Sequence, residues 1–358
     1  MSDAPNGGAP QNGATADRVL RIGTRGSELA TTQAGHVRDA LIAAGYPAEL
    51  TIIRTEGDVN MAPVERIGVG VFTHALRDAL ANDRCDVAVH SYKDLPTAQD
   101  ERFAPIATPE REYPFDVLVS SGDTPFAELG AGARVGTSAP RRRAQLAALR
   151  PDIDLVPLRG NIETRMGFVT SGELDAVVLA GAGLARTGRL AKASQKFTAE
   201  QMLPAPAQGA LAVEARADDA YAAAAVAALD HAESTLAVTA ERRVLAVLEA
   251  GCTAPVGAIA QLDGGELHLE AVVASVAGTK VLRESASAVI GDDAAADGAL
   301  GAARELGETV ANALLAGGAA EVVAVANGTA DERVPLAPEI PPEQGGQPGA
   351  EPGGEKPG

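Results

Sequence analysis

Arginines that follow short apolar segments are the first sign of a binding site in this sequence. Six of them follow the ends of predicted strands: Arg25, Arg141, Arg142, Arg143, Arg159 and Arg186. Two more lie nearby, Arg21 inside the first strand and Arg165 on a following helix. Ligands of open α/β sheets bind beyond the carboxyl ends of strands, and guanidinium groups bind carboxylates through paired hydrogen bonds. Together they predict a site for a polyanion, a polycarboxylate or a phosphate compound. Any one alone could instead be a solvated surface arginine paired with an acid.

One acid stands where it could take part in catalysis. Asp94 lies in the segment 90–96, directly after a predicted buried strand, and Pro96 stiffens the chain beyond it. Near a cationic rim a carboxylate stays ionised, so it could accept hydrogen bonds from N–H groups or stabilise a developing positive charge. The alternative is that Asp94 caps a turn or pairs with Lys93.

The two cysteines suit different roles. Cys252 lies between Gly251 and Thr253, in a loop after a predicted helix, where a thiol would be accessible. Alternatively, it is a small buried apolar residue, which is common for free cysteine. That second interpretation fits Cys85, which precedes an apolar strand. The cysteines and histidines show no metal-ligand spacing, so we expect no metal site.

The elements that must position these residues alternate between strand and helix. Strands are predicted at 19–24, 49–54, 86–89, 116–119, 134–136, 153–158, 176–180 and 211–215, and helices at 27–44, 71–82, 139–150 and 162–170. Short apolar runs alternating with amphipathic helices favour an α/β fold with mostly parallel sheets. The last of these strands, 211–215, is expected to return to the first sheet.

The C-terminal part follows another pattern. A helix at 234–249 precedes strands at 256–261, 266–274 and 280–290, which predict an antiparallel meander, then a helix at 303–315 and a short strand at 322–325. We therefore predict three domains between two tails. The boundaries are 1–17 for a disordered tail, 18–110 with 211–230 for domain 1, 113–205 for domain 2, 233–326 for an α+β domain 3, and 328–358 for a disordered Pro/Gly/Glu-rich tail.

Charge and hydropathy exclude several classes of partner. The formal net charge of −18 repels nucleic acid and anionic membranes. The sequence has no pattern typical of a secretory signal and no apolar run of the roughly 18 residues that a membrane span needs. We expect a cytoplasmic protein that binds neither nucleic acid nor membrane, in which a disulfide is unfavourable.

Six segments, in this order, resemble the porphobilinogen deaminase (hydroxymethylbilane synthase) family. They are Leu-Arg-Ile-Gly-Thr-Arg-Gly-Ser at 20–27, Val-His-Ser-Tyr-Lys-Asp-Leu-Pro at 89–96, Gly-Thr-Ser-Ala-Pro-Arg-Arg at 136–142, Leu-Arg-Gly-Asn-Ile-Glu-Thr-Arg at 158–165, Leu-Pro-Ala-Pro-Ala-Gln-Gly-Ala-Leu-Ala-Val-Glu at 203–214 and Gly-Cys-Thr-Ala-Pro-Val-Gly-Ala at 251–258. The resemblance covers about residues 18–326, all but the tails.

The resemblance implies a fold and an activity. Domains 1 and 2 would resemble the lobes of periplasmic binding proteins, with the active site in their cleft, and domain 3 would carry a cofactor-bearing cysteine on a loop. The cofactor would be dipyrromethane, attached by a thioether to Cys252. A monomeric enzyme would deaminate porphobilinogen, add four units stepwise and release hydroxymethylbilane by hydrolysis, in heme biosynthesis.

The resemblance also implies roles for individual residues. Asp94 matches the catalytic acid, which holds pyrrole N–H groups and stabilises positive charge. The implied cofactor-binding residues are Cys252, Lys93, Asp94, Arg141, Arg142, Ser138 and Thr137, and the implied substrate-binding residues are Arg21, Arg25, Ser27, Phe72, Arg159, Arg165, Arg186 and Gln208.

Two segments depart from the family pattern. Many members carry a Lys-bearing Gly-Gly-Lys-Gly loop at the position of 67–70, where Val69 removes that charge, and whether Arg66 substitutes for it stays open. The usual Ser-Leu is replaced by Ala-Pro at 139–140, and Arg143 replaces a common Gln. Neither change touches the matched catalytic positions.

A non-catalytic binding module is the competing function. Two α/β lobes that close on a polyanion would account for the lobes and the arginines. Such a module predicts no covalent adduct and no role for Cys252. The lack of an export signal counts against a solute-binding protein.

Overall fold

The structure is a computed structural model that describes residues 18–53, 71–103, 106–250, 254–291, 294–295 and 298–326. The predicted tails and Cys252 lie outside the described residues. The strands are β1 Leu20–Thr24, β2 Ala48–Ile52, β3 Val87–Ser91, β4 Ile106–Ala107, β5 Asp116–Ser120, β6 Arg134–Gly136, β7 Asp154–Val156, β8 Ala176–Ala180, β9 Gln195–Lys196, β10 Leu211–Ala215, β11 Val256–Asp263, β12 Glu266–Ala274 and β13 Val281–Val289. The helices are α1 Glu28–Ala43, α2 Val71–Ala81, α3 Pro140–Leu149, α4 Ile162–Thr170, α5 Gly181–Arg186, α6 Ala220–Ala227, α7 Ala232–Val247, α8 Ala299–Ala316 and α9 Ala319–Ala326.

The first sheet has the strand order β2-β1-β3-β10-β4. β1 pairs with β2 and β3 in parallel, whereas β10 runs antiparallel to both β3 and β4. The prediction that 211–215 returns to the first sheet is therefore confirmed. Leu20, Ile22, Val37, Leu41 and Val213 are buried together, so α1 packs its apolar face on this sheet.

The second sheet repeats that arrangement, with the order β7-β6-β8-β5-β9. β6 is parallel to β7 and β8, and β5 is antiparallel to β8 and β9. In each five-stranded sheet the described strands run in one direction except for a single antiparallel strand, β10 in the first sheet and β5 in the second. The prediction of an α/β fold with mostly parallel sheets is therefore confirmed.

The C-terminal sheet is the predicted antiparallel meander, in the order β11-β12-β13. Helices α7 and α8 cover it. The predicted strand at 322–325 is wrong, because this segment belongs to helix α9. Ala319, Val322 and Val323 are buried in the core, and their spacing of three and four residues places them on one helical face. A short valine-rich run does not distinguish a buried strand from a buried helix.

Glu241, on α7, connects the segments that lead into all three sheets. Its carboxylate is fully buried and accepts two hydrogen bonds from Arg111, between β4 and β5, at 2.6 and 3.0 Å. It also accepts from the backbone N–H of Ala207, before β10, and of Ala260, in β11, at 2.6 and 2.8 Å. A buried carboxylate needs such compensation, since desolvating an unpaired ion costs on the order of several kcal/mol.

Among the helices of the described residues, none combines the length and the apolar composition that a membrane span requires.

Candidate active site

The turn after β3 presents the predicted catalytic acid. Residues Tyr92–Asp94 form one turn of 3₁₀ helix, closed by the Leu95 N–H, which donates to the Tyr92 carbonyl at 3.2 Å. Asp94 is exposed, and its carboxylate has no hydrogen bond or ion pair within the described part of the chain. It neither caps a turn nor pairs with Lys93, so its oxygens are available to a ligand.

Lys93, on the same turn, faces the second sheet. Its surroundings remove water from the ammonium, which lowers the pKa of Lys93. The charge of Asp94 opposes that effect, while the charges of Arg142 and Arg141 add to it. A positive charge lowers the pKa of an ammonium group appreciably only when the two groups are close. The Lys93 turn and the start of α3, which carries Arg141 and Arg142, therefore lie near each other. The side chain makes no hydrogen bond or ion pair to any described residue.

Arg141 and Arg142, at the start of α3, share one buried carboxylate. Arg141 donates from Nη1 to Asp116 Oδ2 at 2.7 Å, and Arg142 donates from Nε and Nη2 to Asp116 Oδ1 at 3.0 and 2.8 Å. Both guanidinium groups also donate to backbone carbonyls, those of Leu203 and Val178. Two cations therefore face one anion, which leaves an excess of one positive charge at this helix start.

Thr137 and Ser138 precede α3 and differ in what they bond. The Ser138 hydroxyl donates to the carbonyl of Leu158 at 2.6 Å and accepts from its N–H at 2.8 Å, which ties together the loops after β6 and β7. Thr137 is 1% exposed, and its hydroxyl lacks a hydrogen-bond partner among the residues described. A buried hydroxyl without a hydrogen-bond partner lowers stability, so the Thr137 hydroxyl is suited to form a hydrogen bond with a ligand.

Further arginines lie on the same side of the second sheet. Arg165 donates to the carbonyl of Gly160 at 2.8 Å, and burial, together with the like charges of Arg142 and Arg159, lowers its pKa to about 10. Arg186 donates to the carbonyl of Gly209 at 2.7 Å, and burial lowers its pKa also. The like-charge effects place Arg165 near Arg142 and Arg159, which lie at the starts of other segments that follow strands of this sheet.

Gln208 lies beneath the arginine pair. Its amide nitrogen donates to the carbonyl of Pro114 at 2.8 Å and to Asp116 Oδ1 at 2.9 Å. The amide oxygen is buried and has no partner among the described residues. Gly209 follows with φ +89°, where a Cβ would lie 2.3 Å from the Glu112 carbonyl, so glycine is required for this approach.

The prediction that Arg21 belongs to the arginine rim is wrong. Its guanidinium bonds the carboxylates of Asp86 and Asp83 at 2.9 to 3.0 Å. These acids precede β3, so Arg21 lies at the amino ends of β1 and β3, whereas Asp94 follows the carboxyl end of β3. Neighbouring side chains of a strand point to opposite faces and its two ends reach opposite edges, so membership of a motif does not place a residue at the site. Burial alone would raise the pKa of Asp86, but the bonds from Arg21 and Arg18 hold it well below its usual range.

The other predicted residues are placed as follows. Arg25 is half-buried just past β1, and Arg159 is half-buried just past β7. The Ser27 hydroxyl caps α1, because it accepts from the Ala30 N–H at 3.4 Å. Phe72 is in the first turn of α2. Cys252, the glycine loop at 67–70 and Arg66 lie outside the described residues.

Cys85 has the structural character predicted for it. Its side chain is fully buried, and burial raises the pKa of its thiol to about 11. A thiol reacts as its thiolate, so Cys85 is suited neither by access nor by ionisation to carry a ligand.

Two residues of the site escaped prediction from the sequence. Asp116 is the buried acid that orders Arg141 and Arg142, yet in the sequence it is the first residue of an ordinary apolar strand. Arg242, on α7, donates to carbonyls of the Asp94 turn. Its position among charged residues of an amphipathic helix suggests only a solvated face.

Comparison with solved structures finds extracellular binding proteins at low identity. One is the probable amino-acid ABC transporter extracellular-binding protein of Bacillus subtilis, 14% identical, with 59% of this chain and 90% of that chain covered and a TM-score of 0.36. Another is a Salmonella typhimurium periplasmic binding protein with high arginine specificity, at 15% identity and a TM-score of 0.35, covering 59% of this chain and 92% of that chain.

Comparison of the sequence gives a much closer set of relatives. Residues 20–224 match the family model "Porphobilinogen deaminase, dipyromethane cofactor binding domain", and residues 235–316 match "Porphobilinogen deaminase, C-terminal domain". The porphobilinogen deaminase of Nocardia farcinica is 56% identical, over 88% of this chain and 93% of that protein. That of Mycolicibacterium paratuberculosis is 54% identical, over 85% and 96% respectively. With both domains matched and this identity along most of its length, the chain belongs to the porphobilinogen deaminase family.

Proposed function

We propose that this chain is a hydroxymethylbilane synthase. It joins four porphobilinogen molecules into linear hydroxymethylbilane on a dipyrromethane cofactor held by a thioether to Cys252, within heme biosynthesis. Each step breaks the bond between the aminomethyl carbon and its nitrogen and a C–H bond of the receiving pyrrole, joins the two carbons, and releases the nitrogen with that proton as ammonia. Water is consumed when the product is released. The observation that carries the proposal is the Asp94 carboxylate, which has no partner among the described residues, on a turn near Arg141 and Arg142, two guanidinium groups that share the one carboxylate of Asp116.

The described residues fit the cofactor and the substrate chemically. Dipyrromethane, when bound, supplies the pyrrole carbon to which the first substrate unit is joined. Pyrrole N–H groups need acceptors, which the Asp94 carboxylate and the amide oxygen of Gln208 provide, since neither has a partner among the described residues. Acetate and propionate side chains need cations and hydroxyl donors, which Lys93, Arg165 and Thr137 provide.

Asp94 acts by its charge. Coupling a pyrrole to an electrophilic carbon places positive charge on that pyrrole, and a fixed carboxylate beside it stabilises the charge as it develops. Because the Asp94 oxygens hold no protein donor of the described residues, no internal bond must break before they accept a pyrrole N–H.

The remaining site residues divide between cofactor and growing chain. We assign Lys93, Thr137, Ser138, Arg141 and Arg142 to the cofactor. We assign to the growing substrate chain the residues Arg25, Ser27, Phe72, Arg159, Arg165, Arg186 and Gln208. Arg141 and Arg142 contribute their excess positive charge rather than free guanidinium groups, since both are bonded to Asp116.

Arg165→Ala should affect substrate binding, whereas Arg21→Ala should affect stability. Loss of a charged hydrogen bond to a substrate carboxylate is worth about 1.5–3 kcal/mol, so Arg165→Ala should raise KM for porphobilinogen at least about tenfold. Arg21→Ala should leave KM unchanged and lower the free energy of unfolding by about 1–2 kcal/mol, because it removes bonds to Asp86. Steady-state kinetics and urea denaturation measure both. A raised KM in Arg21→Ala would restore that residue to the site.

The molecular setting follows from the same family membership. We propose a cytoplasmic monomer that acts on porphobilinogen and uses neither nucleic acid nor membrane as a partner. We also propose the division into domains at 18–110 with 211–230, 113–205 and 233–326. It is supported by the pairing of β10 with β3 and by the confinement of each sheet to one of these sets.

Stoichiometry tests the proposed function. Purified chain is incubated with porphobilinogen, and substrate loss, ammonia and tetrapyrrole are measured together. We expect one ammonia for each porphobilinogen consumed and one tetrapyrrole for every four. Saturable binding of porphobilinogen with no ammonia released would instead indicate the binding module.

A further inference from the structure

Arg242 reaches from helix α7 to the turn that carries Lys93 and Asp94. Its Nη1 donates to the carbonyls of Tyr92 and Leu95 at 3.1 and 3.0 Å, and its Nη2 donates to the carbonyl of Pro96 at 2.5 Å. The acceptors lie on both sides of Asp94 in the sequence. One rigid guanidinium fork therefore fixes the backbone before and after the catalytic acid.

Packing reinforces these hydrogen bonds. The Arg242 guanidinium lies over the Tyr92 ring, 4.5 Å from its centroid, which is a cation–π contact. The same ring packs with Val238, one helical turn before Arg242 on α7. Tyr92 is thus held between its own turn and two neighbouring positions of the helix.

The other contacts of the turn are fewer. The Tyr92 N–H donates to the carbonyl of Ala210 at 3.0 Å, and the Thr73 hydroxyl makes a long contact of 3.5 Å with the Asp94 carbonyl. Among the described residues, the only side-chain hydrogen bonds to residues 93–96 are this one and those that Arg242 donates to Leu95 and Pro96. Without Arg242, the carbonyls of Leu95 and Pro96 lose their only described donors.

The environment of Arg242 does not suit a residue present for stability alone. The guanidinium is half-buried, and its pKa is lowered, first by burial. Its contacts within the described chain are carbonyls and an aromatic ring, with no ion pair. A desolvated cation without a counter-ion costs free energy, whereas a planar fork that meets three carbonyls gives orientation.

We propose that Arg242 is a positioning residue for the reaction, which holds the Tyr92–Asp94 turn so that the Asp94 carboxylate faces the reacting pyrrole. The inference rests on the proposed function. Helix α7 ends at Val247, and Cys252 follows soon after in the sequence, so the helix that holds the turn also leads to the proposed point of cofactor attachment.

Three variants test this role in the full-length protein. Arg242→Ala removes the fork, and Arg242→Lys keeps the charge but cannot meet three carbonyls at once. Arg243→Ala is the matched control, because its neighbouring guanidinium pairs with Glu308 on α8 and does not touch the turn. For each we would measure intact mass, kcat and KM for porphobilinogen, and amide hydrogen exchange at residues 92–95.

The expected pattern is specific to positioning. Arg242→Ala should retain the adduct mass, lose kcat by about tenfold to a hundredfold with KM changed less than about threefold, and exchange the turn amides at least about tenfold faster. Arg242→Lys should recover part of kcat, and Arg243→Ala should match the wild type in kcat and turn exchange. Unchanged kcat in Arg242→Ala would overturn the proposal, as would equal losses in Arg242→Ala and Arg243→Ala. A wild type without adduct or turnover would refute the proposed function instead, while exchange would still report whether Arg242 holds the turn.

Discussion

Asp94→Asn should bind the cofactor and substrate yet turn over at least about a hundredfold more slowly than the wild type, since removal of one charge-stabilising group at a reacting centre commonly costs about 10²–10³ in kcat. Asparagine keeps the shape of the side chain and one acceptor oxygen but removes the negative charge. Because Asp94 bonds no described side chain, the substitution should leave the free energy of unfolding unchanged. Single-turnover ammonia release and intact mass measure the two effects separately.

Asp100→Asn is the matched control for that experiment. Asp100 lies on the same connection between β3 and β4, and its carboxylate pairs with Arg102. The same change of charge there should leave kcat within about twofold of the wild type, because a solvent-screened charge away from the reacting atoms contributes little. If Asp94→Asn turned over as fast as Asp100→Asn, Asp94 would not be the catalytic acid.

Asp116→Asn should be the most destabilising single change at the site. Asp116 is fully buried and is the shared anion of Arg141 and Arg142, so the substitution leaves two buried guanidinium groups without a counter-ion. Breaking a buried pair in this way costs about 3–5 kcal/mol. We expect a large fall in the free energy of unfolding, measured by urea denaturation, and with it loss of the adduct. Asp152→Asn, at a surface pair with Arg150, should leave the unfolding midpoint unchanged.

The effect of Asp116→Asn should depend on pH in a defined direction. Burial would raise the pKa of Asp116, but the charges of Arg141 and Arg142 hold it well below the usual range. A depressed folded pKa contributes stability above the unfolded pKa of about 3.9, and this stability is lost as pH falls further towards the folded value. The difference between wild type and Asp116→Asn should therefore be full at pH 7 and smaller near pH 3. An equal difference at both would mean that the pKa of Asp116 is the same in the folded and the unfolded protein.

Local pattern sufficed for most of the predicted elements and for part of the site. The helix 162–170 and the strands 176–180 and 211–215 match the structure at both ends, because polar or glycine residues lie close to both ends of each segment. Arg142, Arg159 and Arg165, which follow the parallel strands β6 and β7, lie near one another because parallel strands present their carboxyl ends at one edge of a sheet. The prediction of a strand at 322–325 was wrong because a four-residue apolar segment is too short to show whether its period is that of a helix or of a strand.

Long-range partners could not be predicted from the sequence. Arg141, Arg142 and Arg21 are all arginines in matched motifs, yet the first two are held by Asp116 and the third by Asp86 at the far end of its sheet. Glu241 and Arg242 are adjacent on α7, and distant segments decide their roles: Arg111 and two backbone N–H groups meet the first, and the Asp94 turn meets the second. Such contacts join residues far apart in the chain, so no local spacing encodes them.

Intact mass of the purified protein tests the central claim most directly, with Cys252→Ser and Cys85→Ser alongside. The account predicts that wild type and Cys85→Ser exceed the sequence mass by two porphobilinogen units less two ammonia, and that Cys252→Ser does not. If the wild type lacks the excess, it is incubated with porphobilinogen and its intact mass is measured again. An enzyme purified without its cofactor should then gain the adduct. A wild type that stays unmodified after this treatment, or an adduct that persists in Cys252→Ser, would contradict the account.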